Sequence, residues 1–532
     1  MAAEALTVGE ALVGMLEQAG VDTVFGIPGV HTIELYRGLA ASSIRHITPR
    51  HEQGAGFMAD GYARVSGRPG VCFVITGPGL TNTLTAMAQA RADSIPMLVI
   101  SGVNATATLG KSRGHLHELP DQAALAATVA LWSHTLTDPA DLGEVLARAF
   151  SVMTSGRPGP VHIEIPTDVM KLPADAAGFI MPELRLRQPT AADLETAASL
   201  CKQARSPAIL IGGGAVRHVE AVRHFAEALD APVISTTNAR GIMADHPLDV
   251  PASPSLGCVR HLLNSSDLVL ALGTELGPTD CDMYEDGKFT LPANLIRVDV
   301  ADDQLTRGAH AALAIHADVG AFVEDMLSAA ADWTHGRAEH GANRASAARD
   351  QAKAELGGTY LDYVDVLQEI WQALPDATLV GDSTQLTYAG NLYVQAPRET
   401  AWFNSATGFG TLGYAAPAAI GAALGHPERP VVALLGDGGF QFTLAELGSA
   451  RDCNADVAFL VWNNSGYLEI ETSMTSAQIT PIGVTPTAPD FSAVAAAYGL
   501  PSRRVDTREG LVSALKELPR PCLIEYLDPV GG

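Results

Sequence analysis

Two histidines and a glutamate lie close together in the segment GHLHELPDQ, residues 114–122. In an extended segment His115 and His117 project from the same face, because side chains alternate along such a chain. An imidazole can give or take a proton near neutral pH, and with Glu118 the pair also has the ligand types of a zinc site. No HExxH or paired CxxC pattern accompanies them. A polar loop, an acid–base function and a metal site all remain open on this segment alone.

An aspartate and an asparagine end two successive hydrophobic runs nearer the C-terminus. Asp437 follows VVALL within GDGG, and Asn464 ends the next run, VAFLVWNN. Adjacent parallel strands deliver their carboxyl ends to one edge of a sheet, where ligands collect. Carboxylate and amide oxygens suit Mg²⁺, which completes its coordination with phosphate and water. The pair therefore predicts a diphosphate held by magnesium.

Two other strand-to-helix turns, VITGPGLTN and LIGGGAV, are rich in glycine. Glycine lets the backbone approach a ligand, and the N-terminus of a following helix favours phosphate. A tight turn needs no ligand, however, and residues 212–214 lack a complete GxGxxG pattern followed by a suitably spaced acid. We interpret that turn as structural.

The predicted strands and helices around these residues follow one pattern along the chain. Short runs rich in β-branched residues alternate with Ala- and Leu-rich stretches, which is typical of parallel sheets with crossover helices. We expect an α/β protein with three doubly wound parallel-sheet domains, at residues 1–185, 190–345 and 355–532. The predicted strands are DTVFGI, IRHIT, VCFVIT, PMLVIS and VHIEIP in the first domain, PAILIGGGAV, APVISTT, SDLVLALG and NLIRVDV in the second, and ATLVGDS, RPVVALLGDGGF, DVAFLVWNN and PCLIEYL in the third.

Composition excludes several classes of protein. The 532 residues carry a formal net charge of -25, which argues against nucleic acids and anionic membranes as partners. The six cysteines have no CxxC spacing, as expected for reduced thiols. No apolar run approaches the roughly 20 residues of a transmembrane helix, and the N-terminal stretch lacks the basic and apolar regions of a signal peptide. We expect a soluble cytoplasmic enzyme that acts on a small molecule.

The GDG motif followed by NN at the end of the next strand resembles the signature of thiamine-diphosphate-dependent enzymes. Other segments are similar to the acetolactate synthase and 2-oxo acid decarboxylase superfamily: PRHEQGAGFMADGYARVSGRPGVCFVITGPGLTN, GRPGPVHIEIPTDV, DHPL and GFGTLGYAAPAAIGAAL. This resemblance covers essentially the whole chain. It implies a pyrimidine-binding, a central and a diphosphate-binding domain, in that order.

The resemblance also implies which residues bind thiamine diphosphate and Mg²⁺. The implied metal ligands are Asp437, the side chain of Asn464 and the carbonyl of Gly466. Leu412, where relatives often have methionine, would wedge the cofactor into a V shape. The other implied cofactor contacts are Gly410, Gly438, Gly439, Ser383 and Thr384.

Glu52 is the catalytic carboxyl that the resemblance implies. In relatives this glutamate contacts N1′ of the aminopyrimidine and promotes the tautomer that deprotonates the thiazolium C2. The small and apolar residues GAGFMA follow Gln53, so poor solvation of the carboxyl would favour proton sharing. Relatives combine this glutamate of one subunit with the diphosphate domain of another, which implies a homodimer at least, with tetramers common.

The central segment departs from acetolactate synthases, whose FAD-binding loop contains Arg-Phe-Asp. This chain has TELGPTDCDMYEDGKF instead, and we expect no FAD because the acidic cluster would repel a flavin diphosphate. A cationic substrate group could pair with these acids or with the acid of NNSGYLEI; a solvated acidic loop and an ordinary helix-surface acid are the alternatives. The candidates are Asp280, Asp282, Glu285 and Glu469.

The segments VFGIPGVHTIELYRGL, GHLHELPDQ, GTELGPTD and NNSGYLEI most resemble the branch that converts 5-guanidino-2-oxopentanoate (2-ketoarginine) to 4-guanidinobutanal and CO₂. A guanidinium group suits carboxylate partners, because it can pair with them bidentately. The resemblance thus implies a non-oxidative decarboxylase, a carboxy-lyase. A carboligase of the acetolactate synthase type and a catalytically silent relative are the alternatives.

The histidine segment gains a location from the same resemblance. Acetolactate synthases have Phe-Gln-Glu near the reactive side of the cofactor, where this chain has Leu116-His117-Glu118. An imidazole can protonate the enamine carbon, which the amide that it replaces cannot do. We therefore expect His117, and secondarily His115, to donate a proton or contact the substrate carboxylate, and a metal site becomes the least favoured interpretation.

Overall fold

Three parallel β-sheets of six strands each form the framework of the chain. They are seen in a computed structural model that describes residues 6–175, 179–181, 183, 185–283, 287–330, 333 and 337–528. Helices connect the strands along the chain. The expected α/β fold with parallel sheets is therefore confirmed.

The first sheet is built from the N-terminal third of the chain. Its strands are β1 (Thr23–Gly26), β2 (Arg45–Ile47), β3 (Gly70–Val74), β4 (Met97–Val103), β5 (Trp132–Thr135) and β6 (Pro160–Pro166). Its helices are α1 (Val8–Gln18), α2 (Ile33–Ala40), α3 (Glu52–Ser66), α4 (Pro78–Ala92), α5 (Gln122–Ala127) and α6 (Leu142–Thr154). In the order β2-β1-β3-β4-β6-β5, the interior strands β3, β4 and β6 are buried throughout. Such continuous burial is the reason that β3 is an unbroken apolar run and β4 nearly so. In β6 the buried His162 and Glu164 interrupt the apolar residues.

The second sheet follows with the same construction. Its strands are β7 (Pro207–Ile211), β8 (Val233–Ser235), β9 (Asp249–Val250), β10 (Leu268–Leu272), β11 (Leu295–Asp299) and β12 (Leu313–His316), in the order β12-β11-β10-β7-β8-β9. The helices are α7 (Ala191–Gln203), α8 (Val219–Leu229), α9 (Gly257–Asn264), α10 (Pro278–Cys281), α11 (Asp302–Leu305), α12 (Val319–Leu327) and α13 (Gly341–Ala373). α13 is interrupted at Gly357, whose φ is 73°.

The third sheet comes from the C-terminal part. Its strands are β13 (Thr378–Gly381), β14 (Trp402–Asn404), β15 (Val431–Gly436), β16 (Val457–Asn463), β17 (Ser502–Val505) and β18 (Cys522–Leu527). The helices are α14 (Gln385–Leu392), α15 (Ala415–Gly425), α16 (Asp437–Phe440), α17 (Glu446–Cys453), α18 (Leu468–Ser476), α19 (Phe491–Ala497) and α20 (Arg508–Glu517). Strand β13 pairs with β14, and β16 lies between β15 and β18.

Short 3₁₀ turns occur in the first two-thirds of the chain, at Thr106–Thr108, Pro139–Asp141, Val169–Lys171, Gly213–His218 and Thr237–Ala239.

Contacts divide the chain into two compact units. The first unit contains Met1–Leu184, Phe409–Val505 and Leu518–Gly532, and the second contains Arg185–Gly408 and Asp506–Glu517. The first unit holds the first sheet and strands β15 to β18, and the second holds the second sheet with β13 and β14. The predicted boundaries of three domains stay a prediction.

Within the first unit, α3 and α15 pack closely through glycine. A Cβ atom at Gly61 would collide with the carbonyl of Ala418, and one at Gly421 with the carbonyl of Met58. Glycine is needed at such positions because any side chain would force the backbones apart. This contact fixes α3, the helix that begins at Glu52, against α15.

No helix in the described ranges combines the length and the apolar character that crossing a membrane requires.

Candidate active site

Asp437 and Asn464 meet at the carboxyl edge of the third sheet. Strands β15 and β16 run parallel and in register as far as Gly436 and Trp462. Asp437 follows β15 directly as the first residue of α16, and Asn464 follows β16. The strand ends bring the two side chains together, as the sequence pattern predicts.

Three oxygen atoms converge at this edge. The side-chain oxygen of Asn464 lies 3.2 Å from Oδ1 of Asp437 and 2.9 Å from the carbonyl oxygen of Gly466. Oδ2 of Asp437 is buried and has no hydrogen-bond partner within the described part of the chain. Neighbouring oxygen ligands in an octahedral Mg²⁺ shell lie about 2.9 Å apart, because each metal–oxygen distance is about 2.0–2.1 Å. These three oxygens therefore fit a hard cation. Without a cation, the side-chain oxygen and nitrogen of Asn464 would exchange places, so that the nitrogen donates to Asp437 and to the Gly466 carbonyl.

Asp437 is only 1% exposed, and this burial affects the ionisation of its carboxyl. Burial raises the pKa of this carboxyl, while backbone N–H groups of Asn464, Asp437 and Gly438 oppose the increase. A bound cation would favour the ionised carboxylate over the protonated acid.

Glycine is required around the converging oxygens for lack of space. A Cβ atom at Gly438 would collide with the ring of Tyr467, and one at Gly466 would lie 2.6 Å from the carbonyl oxygen of Val484. The Tyr467 N–H donates to that same carbonyl at 2.7 Å. Gly439 is buried beside Gly438 in α16. These contacts fix the segment that carries the predicted metal ligands.

Glu52 is the first residue of α3 and is half-buried. Its Oε2 accepts a hydrogen bond from Nδ2 of Asn82 at 2.9 Å. Sequence reasoning gave Asn82 no function, although it lies in the quoted segment GPGLTN. The side chain of His51 caps α3 by accepting from the Gln53 N–H.

The buried carboxylate of Glu446 holds the backbone just before Glu52. It accepts from the Arg50 N–H at 3.0 Å and from the His51 N–H at 3.1 Å. Burial raises the pKa of Glu446, against hydrogen bonds from Ser449 and from these two backbone groups. No local sequence pattern marks Glu446, because its contacts are far away in the sequence.

The segment with the predicted apolar wedge lies in the same unit. Leu412 is half-buried, and Gly410 has a φ of 73° that favours glycine. Between them, Thr411 donates its hydroxyl to Oε1 of the buried Gln89 at 3.0 Å. The cofactor contacts predicted for Gly410 and Leu412 stay a prediction.

Glu118 fastens the histidine segment to itself. Its carboxylate accepts from the N–H groups of Gly114 at 2.7 Å and His115 at 3.0 Å. Burial works against ionisation of Glu118, but these hydrogen bonds outweigh it and lower its pKa. His115 is exposed and His117 half-buried. No group of three or more His, Cys, Asp or Glu side chains that could hold a metal ion is found in the described ranges, so the metal interpretation of this segment gains no support.

His31 is a neighbour of His117 that sequence reasoning missed. The ring centroids of the two imidazoles lie 5.4 Å apart, edge to face. His31 is only 8% exposed, and its Nδ1 has no partner among the described residues. Burial lowers the pKa of His31, and a charge on His117 would lower it further. Its place after the turn that ends β1 was an available signal, since site residues collect at strand ends.

Ser383 and Thr384 belong to the second unit. Thr384 is buried and precedes α14, and the Ser383 N–H donates to Asp382 at 2.8 Å. Their assignment as cofactor contacts stays a prediction.

The glycine turn at residues 212–214 is filled by protein. A Cβ atom at Gly212 would collide with the carbonyl of Gly273, to which the Gly214 N–H donates at 3.1 Å. This direct packing favours the structural interpretation of the turn.

The acidic candidates in the second unit make internal contacts. Asp280 accepts from the Thr237 N–H at 3.0 Å, and Asp282 forms an ion pair with Arg260 at 2.9 Å. Glu285 lies outside the described residues. In the first unit, Glu469 is half-buried in the first turn of α18. A substrate contact by any of these acids stays a prediction.

Three family models match this chain in sequence order. Residues 6–125 match the thiamine pyrophosphate enzyme N-terminal TPP-binding domain, residues 194–326 the central domain, and residues 382–526 the C-terminal TPP-binding domain.

Individual relatives are similar over almost the full length. A protein of Pseudomonas aeruginosa named probable 2-ketoarginine decarboxylase AruI is 43% identical over 504 residues, which covers 94% of this chain and 89% of that protein. The acetolactate synthase isozyme 1 large subunit of Escherichia coli is 30% identical, covering 97% of this chain and 92% of that protein. The acetolactate synthase large subunit IlvB1 of Mycobacterium tuberculosis is 30% identical, covering 97% and 86%.

Proposed function

The chain belongs to the thiamine pyrophosphate enzymes, and from this premise we propose that it decarboxylates 5-guanidino-2-oxopentanoate to 4-guanidinobutanal and CO₂. The observation that carries the proposal is the 43% identity to the relative named as a probable 2-ketoarginine decarboxylase, against 30% to the acetolactate synthases. A carboligase of the acetolactate synthase type is the second candidate, because those relatives match the same length of chain.

The converging oxygens at the third sheet support a site for Mg²⁺ and the cofactor diphosphate. The metal would be held by Asp437, Asn464 and Gly466. When bound, the cofactor supplies a nucleophilic carbon and an electron sink for the loss of CO₂. The remaining proposed cofactor contacts are Gly410, Leu412, Gly438, Gly439, Ser383 and Thr384.

Glu52 would share a proton with the pyrimidine ring nitrogen. Its half-buried carboxyl already accepts the Asn82 amide, which leaves the second oxygen for such a contact. The hydrogen bonds of Glu446 to Arg50 and His51 hold the start of α3 in place for this purpose.

His117 would deliver a proton to the carbon that has lost its carboxylate, with His115 as the lesser candidate. The Glu118 carboxylate accepts from the N–H groups of Gly114 and His115, which supports a defined shape for the segment that carries His117. An imidazole can donate a proton as an acid, whereas an amide at this position could not. The histidine therefore favours aldehyde release over carbon–carbon bond formation.

Carboxylates would receive the guanidinium group of the substrate. Glu469 is the candidate in the first unit, and Asp280 and Asp282 are candidates whose present partners would have to be exchanged. A guanidinium pairs bidentately with such groups.

We also propose a homo-oligomer with a dimer as its smallest active form. Large apolar side chains of the first unit remain exposed, among them Val30, Leu116, Phe409 and Phe442. We expect the second subunit to cover side chains of this kind.

A substrate screen tests the proposal. Linear, branched, aromatic and cationic 2-oxo acids are supplied with Mg²⁺ and thiamine diphosphate, and the released aldehyde is measured for each. We expect the guanidino acid to have the highest kcat/KM. Acetolactate formed from pyruvate with a higher kcat/KM would reject the decarboxylase in favour of the carboligase.

A further inference from the structure

Gln122 lies at the centre of a buried polar network in the first unit and is 3% exposed. Its Oε1 accepts from the Thr76 hydroxyl and the Gly77 N–H, both at 2.8 Å. Its Nε2 donates to the Gly102 carbonyl and to Glu164 Oε2, both at 2.9 Å. One amide thus bridges the segment after β3 to the ends of β4 and β6.

The two glycines in this bridge, Gly77 and Gly102, pack against the backbones of the two histidines. A Cβ atom at Gly77 would lie 2.5 Å from the carbonyl oxygen of His117. A Cβ atom at Gly102 would lie 2.5 Å from the carbonyl oxygen of His31. Each histidine backbone therefore rests directly on a residue that Gln122 holds.

The other attachments of the loop are weaker anchors. Asn104 donates to the Leu116 carbonyl at 2.9 Å, but this contact is exposed. Glu118 ties the loop only to itself. Hydrogen bonds shielded from water constrain geometry more than exposed ones, so the Gln122 amide is the firm attachment to the sheet.

We propose that Gln122 is a positioning residue that sets the separation of His31 and His117, and thereby aims the His117 imidazole at the reacting carbon. This inference rests on the proposed function for the act of proton transfer, but the positioning itself is a property of the folded chain.

Crystal structures of variants test the positioning without any need for activity. Gln122→Met keeps the length of the side chain and removes all its hydrogen bonds. Thr135→Val is the matched control, because it removes one hydrogen bond to Glu164, of 2.7 Å, in the same network without touching either glycine. We expect the 5.4 Å ring separation to change in Gln122→Met and to persist in Thr135→Val. An unchanged separation in Gln122→Met overturns the proposal.

A kinetic double-mutant cycle tests the consequence for catalysis. Gln122→Met should lower kcat on the order of 10- to 100-fold with little change in KM, because a small misplacement of a catalytic group has such an effect. In a His117→Gln background the same change should have almost no further effect, since coupled residues are non-additive. Independent, multiplicative losses would contradict the positioning role.

Misfolding of Gln122→Met and an inactive wild-type enzyme would each require a different measurement. If Gln122→Met does not fold, Gln122→Asn keeps an amide but is one methylene shorter, so it cannot bridge Gly77 and Gly102; wild-type kcat in that variant would overturn the proposal. If the wild-type enzyme forms no aldehyde, the proposed function fails, while the crystal structures still decide the positioning.

Discussion

Asp437, a ligand of the proposed metal site, is a buried carboxyl whose ionisation opposes the stability of the fold. Its buried Oδ2 has no partner within the described chain, and burial raises its pKa. A carboxyl with a raised pKa in the folded state favours folding below its ordinary pKa and loses that advantage as the pH rises through the folded value. Without cofactor, ionised Asp437 therefore lowers the stability of the fold at neutral pH.

Replacing Asp437 with Asn should separate stability from binding. The new amide carries no charge to bury and can pair with the Asn464 amide, 3.2 Å away, in either orientation of that amide, so we expect the cofactor-free Tm at pH 7.5 to stay the same or rise. The increase in Tm that Mg²⁺ and thiamine diphosphate give the wild type should be lost, because the charged metal ligand is gone. Thermal scans with and without cofactor measure both effects. A lower cofactor-free Tm with an intact cofactor response would contradict this account.

Replacing Glu52 with Gln should abolish turnover and leave cofactor binding intact. The amide keeps the shape of the residue and a contact with Asn82 but cannot share a proton. We expect kcat to fall by at least about 100-fold, the range of acid–base contributions. Equilibrium titration of thiamine diphosphate checks binding, and Asn82→Ala, which removes only the contact, serves as a milder comparison. A kcat near wild type would remove Glu52 from the mechanism.

Candidate site residues could be predicted from the sequence only where a local pattern, such as the end of a hydrophobic strand, marks them. Asp437 and Asn464 were found because each directly follows a hydrophobic strand, and the structure brings them together. His31 was not found, since its neighbour His117 lies far along the chain and only the folded sheet brings them together. The contact of Glu446 with the start of α3 was hidden for the same reason.

At the scale of elements, the contact of α3 with α15 should be intolerant of added volume. Gly421→Ala places a methyl group against the Met58 carbonyl, and we expect a loss of about 1–3 kcal/mol in the free energy of unfolding. Gly14→Ala is the control, because Gly14 lies inside α1 with open space at its Cβ position. That change should stabilise by about 0.5–1 kcal/mol from helix propensity. Denaturant unfolding measures both; a stabilised Gly421→Ala would mean that the helices are not in tight contact.

Interior strands were predictable and several edge strands were not. Each hydrophobic run predicted as a strand is a strand. Five strands were not predicted: β5, β9, β12, β14 and β17. All of these lie at sheet edges. The side chains of β5 are half-buried throughout, and β12 and β17 each have one buried residue. These strands lack the continuous apolar run of an interior strand, so their sequence signal is weak. β14 is buried throughout but has only three residues.

At the scale of the whole molecule, the net charge of -25 should affect substrate choice. A 2-oxo acid with a neutral side chain is an anion and is repelled, whereas the guanidino acid is a zwitterion without net charge. Raising the salt concentration from about 20 to about 500 mM screens this repulsion. We expect kcat/KM to rise with salt for 2-oxohexanoate and to change little for the guanidino acid. Equal salt responses of the two substrates would contradict this effect of charge.

The proposed decarboxylation is tested by the stoichiometry of products from 5-guanidino-2-oxopentanoate. We predict one CO₂ and one 4-guanidinobutanal for each substrate consumed, only when Mg²⁺ and thiamine diphosphate are both present. Release of CO₂ without aldehyde, with a carbon–carbon coupled product in its place, would contradict the account.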